Sequence, residues 1–182
     1  MTVQTFFLEH LETPTGWMRV VTDEESRLRA VDWQDQEPRM QELMQRYYGA
    51  ATQLREAPRR SQAVRALKDY FAGELDAIAD LPTAANGTAF QLSVWAALRQ
   101  IPVGQTISYG ALAARIGRAK AVRAVGLANG ANPIAVVVPC HRVIGADASL
   151  TGYGGGLDRK RWLLAHERAD LPLLANSGKD AA

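Results

Sequence analysis

Cysteine is almost absent from this chain: one thiol, Cys140, stands among 182 residues that include only three histidines. A single cysteine excludes an internal disulfide framework, and a cysteine-rich structural zinc site cannot be built from it, so no metal and no cofactor are expected. Long apolar runs are missing as well, and no basic, apolar leader precedes Met1-Thr2-Val3-Gln4. A reducing cytoplasm and no membrane partner follow as expectations. The third absence is of acid. Between Asp80 and Asp147 there is no acidic residue, while Arg99, Arg115, Arg118, Lys120, Arg123 and Arg142 fall in that interval.

What is present is ordinary for a globular protein: 47% hydrophobic and 22% charged residues, enough to bury a core in one domain or two small ones. The formal charge of +2 conceals an imbalance. Residues 1–85 hold ten basic and fourteen acidic side chains, and residues 86–182 hold eleven and five. A surface made from the acid-free interval has a single-signed field that suits a polyanion such as nucleic acid; a solvated basic face with no partner is the alternative. No internal repeat is present.

The first half opens on strand signals. Gln4 to Leu8 and Met18 to Thr22 flank the Pro14 and Gly16 turn, and Leu28-Arg29-Ala30-Val31-Asp32-Trp33 alternates apolar with polar, which predicts a small antiparallel meander. Helical spacing follows over Gln36 to Tyr48 and over Ser61 to Phe71, with Ser61 as N-cap. The carboxylates of this half are scattered, and no catalytic constellation is visible there. Pro, Asn and Gly at 80–87 break both periodicities where the charge changes sign, which marks a boundary.

Beyond it, Thr88 caps a helix through Phe90, Val94, Trp95 and Leu98, and Ser108 caps a short one from Tyr109 to Ile116. Gly117-Arg118 turns into another from Ala119 to Ala131. Two short helices joined by a glycine turn, the second basic, form the pattern of a helix-turn-helix. On the second, Ala121, Val125 and Ala128 share one face and Lys120, Arg123, Gly126, Leu127 and Gly130 the other. Glycine costs about 1 kcal/mol against alanine in a helix, so Gly126 and Gly130 ask for a reason. Close approach to a nucleic-acid backbone is one, and helix packing is the other.

Asn132-Pro133 then leads into Val136-Val137-Val138-Pro139-Cys140-His141-Arg142-Val143-Ile144. Three valines read as a buried strand that Pro139 stops, which puts Cys140 at a strand end. His141 is a titratable base one residue on, but neighbours on extended backbone point apart, so it reaches the thiol only across a turn or a water. On these residues alone Cys140 is a nucleophile or a small buried hydrophobe. Gly152-Tyr153-Gly154-Gly155-Gly156 reads as a flexible rim whose amides can approach a ligand. A last helix runs from Leu157 to Glu167, where the unfavourable dipole hints at another partner for Glu167. Residues 175–182 read as a flexible tail.

Pro139-Cys140-His141-Arg142-Val143, preceded by Arg123-Ala124-Val125-Gly126 and Asn132-Pro133 and followed by Gly152-Tyr153-Gly154-Gly155 and Trp162-Leu163-Leu164-Ala165-His166-Glu167, resembles the O6-alkylguanine-DNA alkyltransferases. The likeness runs from Thr88 to Glu167, with five blocks in the family's order and spacing, and Leu28 to Trp33 resembles the bacterial stand-alone, Ogt-like members. It implies a ribonuclease-H-like α/β domain over 1–80, a linker over 81–87, and a mainly α winged helix-turn-helix domain over 88–174. It also implies a monomer that binds duplex DNA containing alkylated guanine through the minor groove. The reaction implied is irreversible alkyl transfer from O6-alkylguanine, and from O4-alkylthymine as a further substrate, to Cys140, once per molecule.

The resemblance also assigns roles. Arg123 matches an arginine finger that fills the gap left by a flipped base, with Lys120, Ala124, Gly126 and Gly130 on the same DNA-binding helix. Tyr109 crowds the phosphate and donates a proton toward the leaving guanine. Cys140 attacks as thiolate, His141 takes its proton through a water, Glu167 holds the imidazole, and Asn132 ties the helix to the site. The carbonyls of Cys140 and Val143 read guanine, Tyr153 packs beside it, and the Gly154 amide faces the departing oxygen. The resemblance implies two departures from the family's vertebrate-type pattern: Gly154 replaces a residue that often bears a hydroxyl, and Ala135 stands at a position where proline is found. A winged-helix regulator or lesion sensor without chemistry would share the basic helix but not Cys140, His141 and Glu167. A cysteine hydrolase would share the thiol but not the helix-turn-helix.

Overall fold

The computed structural model describes residues 4–169; the expected tail at 175–182 lies outside them. The meander forms as β1 (Thr5–Thr13), β2 (Gly16–Thr22) and β3 (Leu28–Trp33), all antiparallel, with alternate side chains buried on the two faces of the sheet. A further strand, β4 (Gln53–Glu56), pairs parallel with β1 and gives the order β3-β2-β1-β4. Helix α1 (Glu37–Tyr48) buries Met40, Leu43 and Met44, and Met40 and Met44 pack with Phe6, Leu8, Val21 and Ala30. Helix α2 (Gln62–Phe71) starts at Ser61, whose hydroxyl accepts from Val64 N. It packs in a larger core that holds Met18, Val20, Val31 and Trp33 with Val94, Leu112, Val125, Val143 and Leu163.

The second half begins with α3 (Ala89–Leu98), closed by a capping box between Thr88 and Gln91. Short β5 (Ile107–Ser108) leads through the Ser108 cap into α4 (Tyr109–Arg115), then α5 (Val122–Gly130), short β6 (Val143–Ile144) beside β5, and α6 (Leu157–His166). Helix α5 begins later than the expected Ala119, because the chain first makes a turn in which Ala121 N bonds Arg118 O at 2.7 Å.

The edge of β3 is covered twice, first by the boundary segment at 81–87 and then by the second half of the chain. Pro82 O accepts from Leu28 N, and Ala84 N bonds Leu28 O; farther along, Val31 N bonds Pro133 O and Ala135 N bonds Val31 O, both at 2.9 Å. The segment that feeds Cys140 is thereby anchored to the sheet.

Immediately beyond that anchor, the expected valine strand is replaced by a turn. Val138 N bonds Ile134 O at 3.0 Å, and Val136 adopts φ of +70°, a conformation that costs a β-branched residue on the order of 1–3 kcal/mol. Burial was the correct part of the reading: all three valines are in the core. Asn132 holds the turn by accepting from Ile134 N and donating to Val138 O at 2.8 Å, so a side chain replaces the ladder a strand would have had.

Candidate active site

The turn delivers Cys140 to the start of a 3-10 segment, Cys140–Arg142, at the wall of a cavity of about 280 Å³. Of the residues singled out from sequence, Gly130, Asn132, Ala135, Cys140, Tyr153 and Gly154 line it. Asp32, Arg39, Asn129, Gly152 and Gly155 line it too. Asn132 Nδ2 lies 3.1 Å from Cys140 Sγ and donates to it. Burial raises the thiol's pKa, against the Asn132 bond and the charges of Arg39 and Lys160, so the resting group is a thiol and its reaction needs a base.

His141 and Glu167 sit behind the cavity, fully buried as a pair with Nε2 and Oε1 2.8 Å apart. Burial pushes the imidazole pKa down despite the carboxylate, which favours neutral histidine. Its Nε2–H then donates to Glu167 and leaves Nδ1, a buried nitrogen with no partner among the described residues, as a free base.

Glu167 carries more than this one bond. Arg142 donates to both of its oxygens, from Nε at 2.8 Å and the terminal nitrogen at 2.9 Å, and Tyr70 Oη donates at 2.8 Å. Burial would raise the carboxyl, but His141 and then Arg142 outweigh it and hold the group well below the usual carboxylate range. Glu167 therefore has the partner that its place at a helix end asked for.

Two basic residues leave the expected polyanion surface. Arg142 is buried on Glu167, and Arg99 is engaged with the carbonyls of Ala79 and Leu81. Arg115, Arg118, Lys120 and Arg123 remain exposed, together with Ala124. On α5, Val125 and Ala128 face inward as expected. A Cβ built on Gly126 would come no nearer than 3.9 Å to Tyr109, and one on Gly130 would meet nothing, so helix packing does not require either glycine. Tyr109, at the first turn of α4, is half-buried and lies outside the residues that line the cavity.

Within the glycine rim Gly152 and Gly156 are exposed and open, whereas Gly154 and Gly155 are packed. A Cβ at Gly154 would fall 2.7 Å from Arg39 Cζ, and one at Gly155 would fall 2.4 Å from the Trp33 ring. These glycines admit the first half of the chain to the cavity. Arg39 pairs with Asp32 and donates to Gly130 O at 2.7 Å and Asn132 O at 3.0 Å, which joins β3, the end of α5 and the residue bonded to the thiol. The first half shows no catalytic constellation in sequence, yet its Tyr70, Asp32 and Arg39 reach the site in the fold.

Val143 lies in the core, and its carbonyl accepts from Lys160 Nζ at 2.6 Å; Lys160 also donates to Thr151 O and so ties β6 to the glycine segment. Burial pushes the Lys160 pKa down to about 8. Lys160 was passed over in the sequence, although it stands on the apolar side of α6, three residues before Leu163 and four before Leu164.

Comparison with known proteins places these features in a family. Residues 7–85 match the 6-O-methylguanine DNA methyltransferase ribonuclease-like domain, and residues 89–169 match the DNA binding domain of the same family. The methylated-DNA–protein-cysteine methyltransferase of Salmonella typhimurium is 52% identical over 160 residues, which cover 87% of this chain and 94% of that protein. The protein of the same name from Mycolicibacterium paratuberculosis is 57% identical over 129 residues, 70% of this chain and 78% of that one. The crystal structure of Mycobacterium tuberculosis OGT in complex with DNA superimposes with a TM-score of 0.74 at 42% identity, covering 90% of this chain and 92% of that chain.

Proposed function

The chain belongs to the 6-O-methylguanine DNA methyltransferase family, and from that premise we propose that it repairs DNA by moving the alkyl group of O6-alkylguanine onto Cys140. One observation carries the assignment to this thiol. Cys140 is the chain's only cysteine, and it lies on the cavity wall with an amide donor on its sulfur and a buried His–Glu pair on the adjoining residue's side.

The step conserves atoms and charge. Through one water, the Cys140 proton passes to His141 Nδ1, and Glu167 stabilises the imidazolium. The sulfur attacks the alkyl carbon as the carbon–O6 bond breaks, and the electron pair stays on the base. A proton donated from Tyr109, restored from the imidazolium through solvent, leaves neutral guanine. The products are guanine and an S-alkyl cysteine. Neither water nor a base in the site can hydrolyse a thioether, so each molecule reacts once. O4-alkylthymine presents the same kind of carbon and is a second substrate.

Base flipping brings the lesion out of the stack. Exposed Arg123 in the first turn of α5 fills the gap, Lys120 contacts phosphate, and the bare face at Gly126 and Gly130 sits against the minor groove. The first half is read as a ribonuclease-H-like domain over 1–80 and the second, after the linker at 81–87, as a winged helix-turn-helix domain over 88–174. The protein acts as a cytoplasmic monomer. Incubation with duplex carrying a labelled O6-methyl group should place the label on Cys140, and label on another residue or none would refute the assignment.

A further inference from the structure

The basic side chains of the first half divide into two groups. Arg19, Arg27, Arg29, Arg39 and Arg46, all before β4, are ion-paired with carboxylates. After β4 the chain carries Arg59, Arg60, Arg65 and Lys68 with no acidic residue from 57 to 68, and none of the four forms an ion pair among the described residues. In a half where acids outnumber bases, a cluster of unpaired cations asks for an anion from outside the chain.

The fold gathers three of them. Arg65 and Lys68 stand three residues apart on the exposed side of α2, and Arg65 donates to Arg60 O at 2.7 Å. Arg60 in turn donates to His10 O at 3.3 Å, on the part of β1 that β4 leaves uncovered. With Lys68 they line a groove of about 510 Å³ whose apolar floor is Leu11 and Val64. None of its residues lines the Cys140 cavity.

Trp17 stands at the side of this groove and is 49% exposed, whereas Trp33 and Trp95 are buried and Trp162 is half-buried. Glu12 is the one carboxylate on the groove wall; Asp35 and Glu37, beyond Trp17, are matched by Arg159 and Arg19. Cations that track a phosphate backbone, beside an accessible aromatic ring on which an unpaired base can stack, suit a single strand of nucleic acid. A duplex keeps its bases stacked on one another and leaves the ring unused. An acidic peptide would use the cations but not the indole.

We propose that this groove binds single-stranded nucleic acid, with phosphates on Arg60, Arg65 and Lys68 and a base stacked on Trp17. It is a second nucleic-acid contact, separate from α5, and it does not depend on the alkyl-transfer reading.

Ultraviolet crosslinking of the full native chain to a short oligothymidylate carrying one bromouracil base, followed by peptide mapping, tests the site. An adduct should form at Trp17; adducts confined to α5, or none, would overturn the proposal. Equilibrium binding of the same oligonucleotide is then read in a chain whose α5 contacts are removed by Lys120→Ala and Arg123→Ala. There Trp17→Ala should weaken binding by roughly tenfold, with Trp17→Phe close to the parent. Arg60→Ala, Arg65→Ala and Lys68→Ala combined should reduce the salt slope by about two, at roughly 0.7 per phosphate contact. Unchanged affinity and slope would refute the groove. Oligoglutamate of equal length should not compete, and displacement as effective as by unlabelled oligothymidylate would assign the groove to acidic protein segments instead.

Discussion

Tyr70 Oη donates to Glu167 Oε1 at 2.8 Å, so a side chain of α2 in the first half of the chain reaches the carboxylate that holds His141 in the second. Glu167→Gln would leave Arg142 buried against a neutral group, a change that costs about 3–5 kcal/mol, whereas Tyr70→Phe removes one bond to a charged acceptor and should cost about 1.5–3 kcal/mol. Urea unfolding of both variants checks the order. A Tyr70→Phe cost as large as that of Glu167→Gln would show that Arg142 does not depend on the charge.

The same carboxylate makes a pH prediction. Its folded pKa is depressed, so its stabilisation is fully present above the unfolded value of about 4.3 and is lost as pH falls toward the folded one. Native protein should therefore lose stability below about pH 4.3 more steeply than Glu167→Gln. Parallel slopes from chemical unfolding at stepped pH would contradict the depressed pKa.

Arg39 fills the space a side chain at 154 would need, and its donor bonds to Gly130 O and Asn132 O hold it there. Gly154→Ala should displace the guanidinium, and Arg39→Ala should lose the same bonds. Each variant should slow transfer, with the double variant little slower than either, because the changes act on one contact. Additive losses in the rate constants would separate the two residues.

Proline is not a simple replacement for Ala135, and the residue's place in the fold explains why. Its N–H donates to Val31 O while the residue lines the cavity. Ala135→Pro adds apolar wall, which should increase inactivation by free O6-benzylguanine. It also strips a partner from Val31 O, at about 1–3 kcal/mol of stability. Graded inhibitor doses and thermal unfolding check both, and unchanged stability would show that the bond to β3 is dispensable.

On the DNA side, Arg123→Ala should slow repair in duplex far more than in a short single strand, since filling the vacated stack matters only in duplex. Lys120→Ala should weaken binding uniformly and reduce its salt dependence by about one phosphate contact. Equal effects of both variants on both substrates would remove the distinction between finger and phosphate anchor.

Much of this architecture was legible wherever local chemistry decided it. Strand signals and the Pro14 and Gly16 turn marked β1 to β3, although β1 runs on past the expected Leu8 to Thr13, and the hydroxyls of Ser61, Thr88 and Ser108 marked helix starts. The sequence Gln53 to Glu56 carries one apolar residue, so β4 exists only because β1 offers it an edge. The valines failed as a strand because the side chain of Asn132, remote from any periodicity argument, satisfies the backbone of a turn instead. Within the site, Cys140, Asn132, Tyr153 and Gly154 stood out through the motif. Tyr70, Asp32 and Arg39 could not, since only tertiary packing brings them to it. Arg142 was hidden by its type, as a lone basic residue in an acid-free interval reads as surface until its carboxylate is found.

The most direct measurement is the amount of methyl taken up by a known quantity of native protein from excess duplex carrying labelled O6-methylguanine. Uptake should stop at about one methyl per molecule, the capacity of a single thiolate, with all of it on Cys140 and none on Cys140→Ala. Continued transfer beyond that limit, or a Cys140→Ala variant that still removes the methyl group, would contradict alkyl transfer to this cysteine.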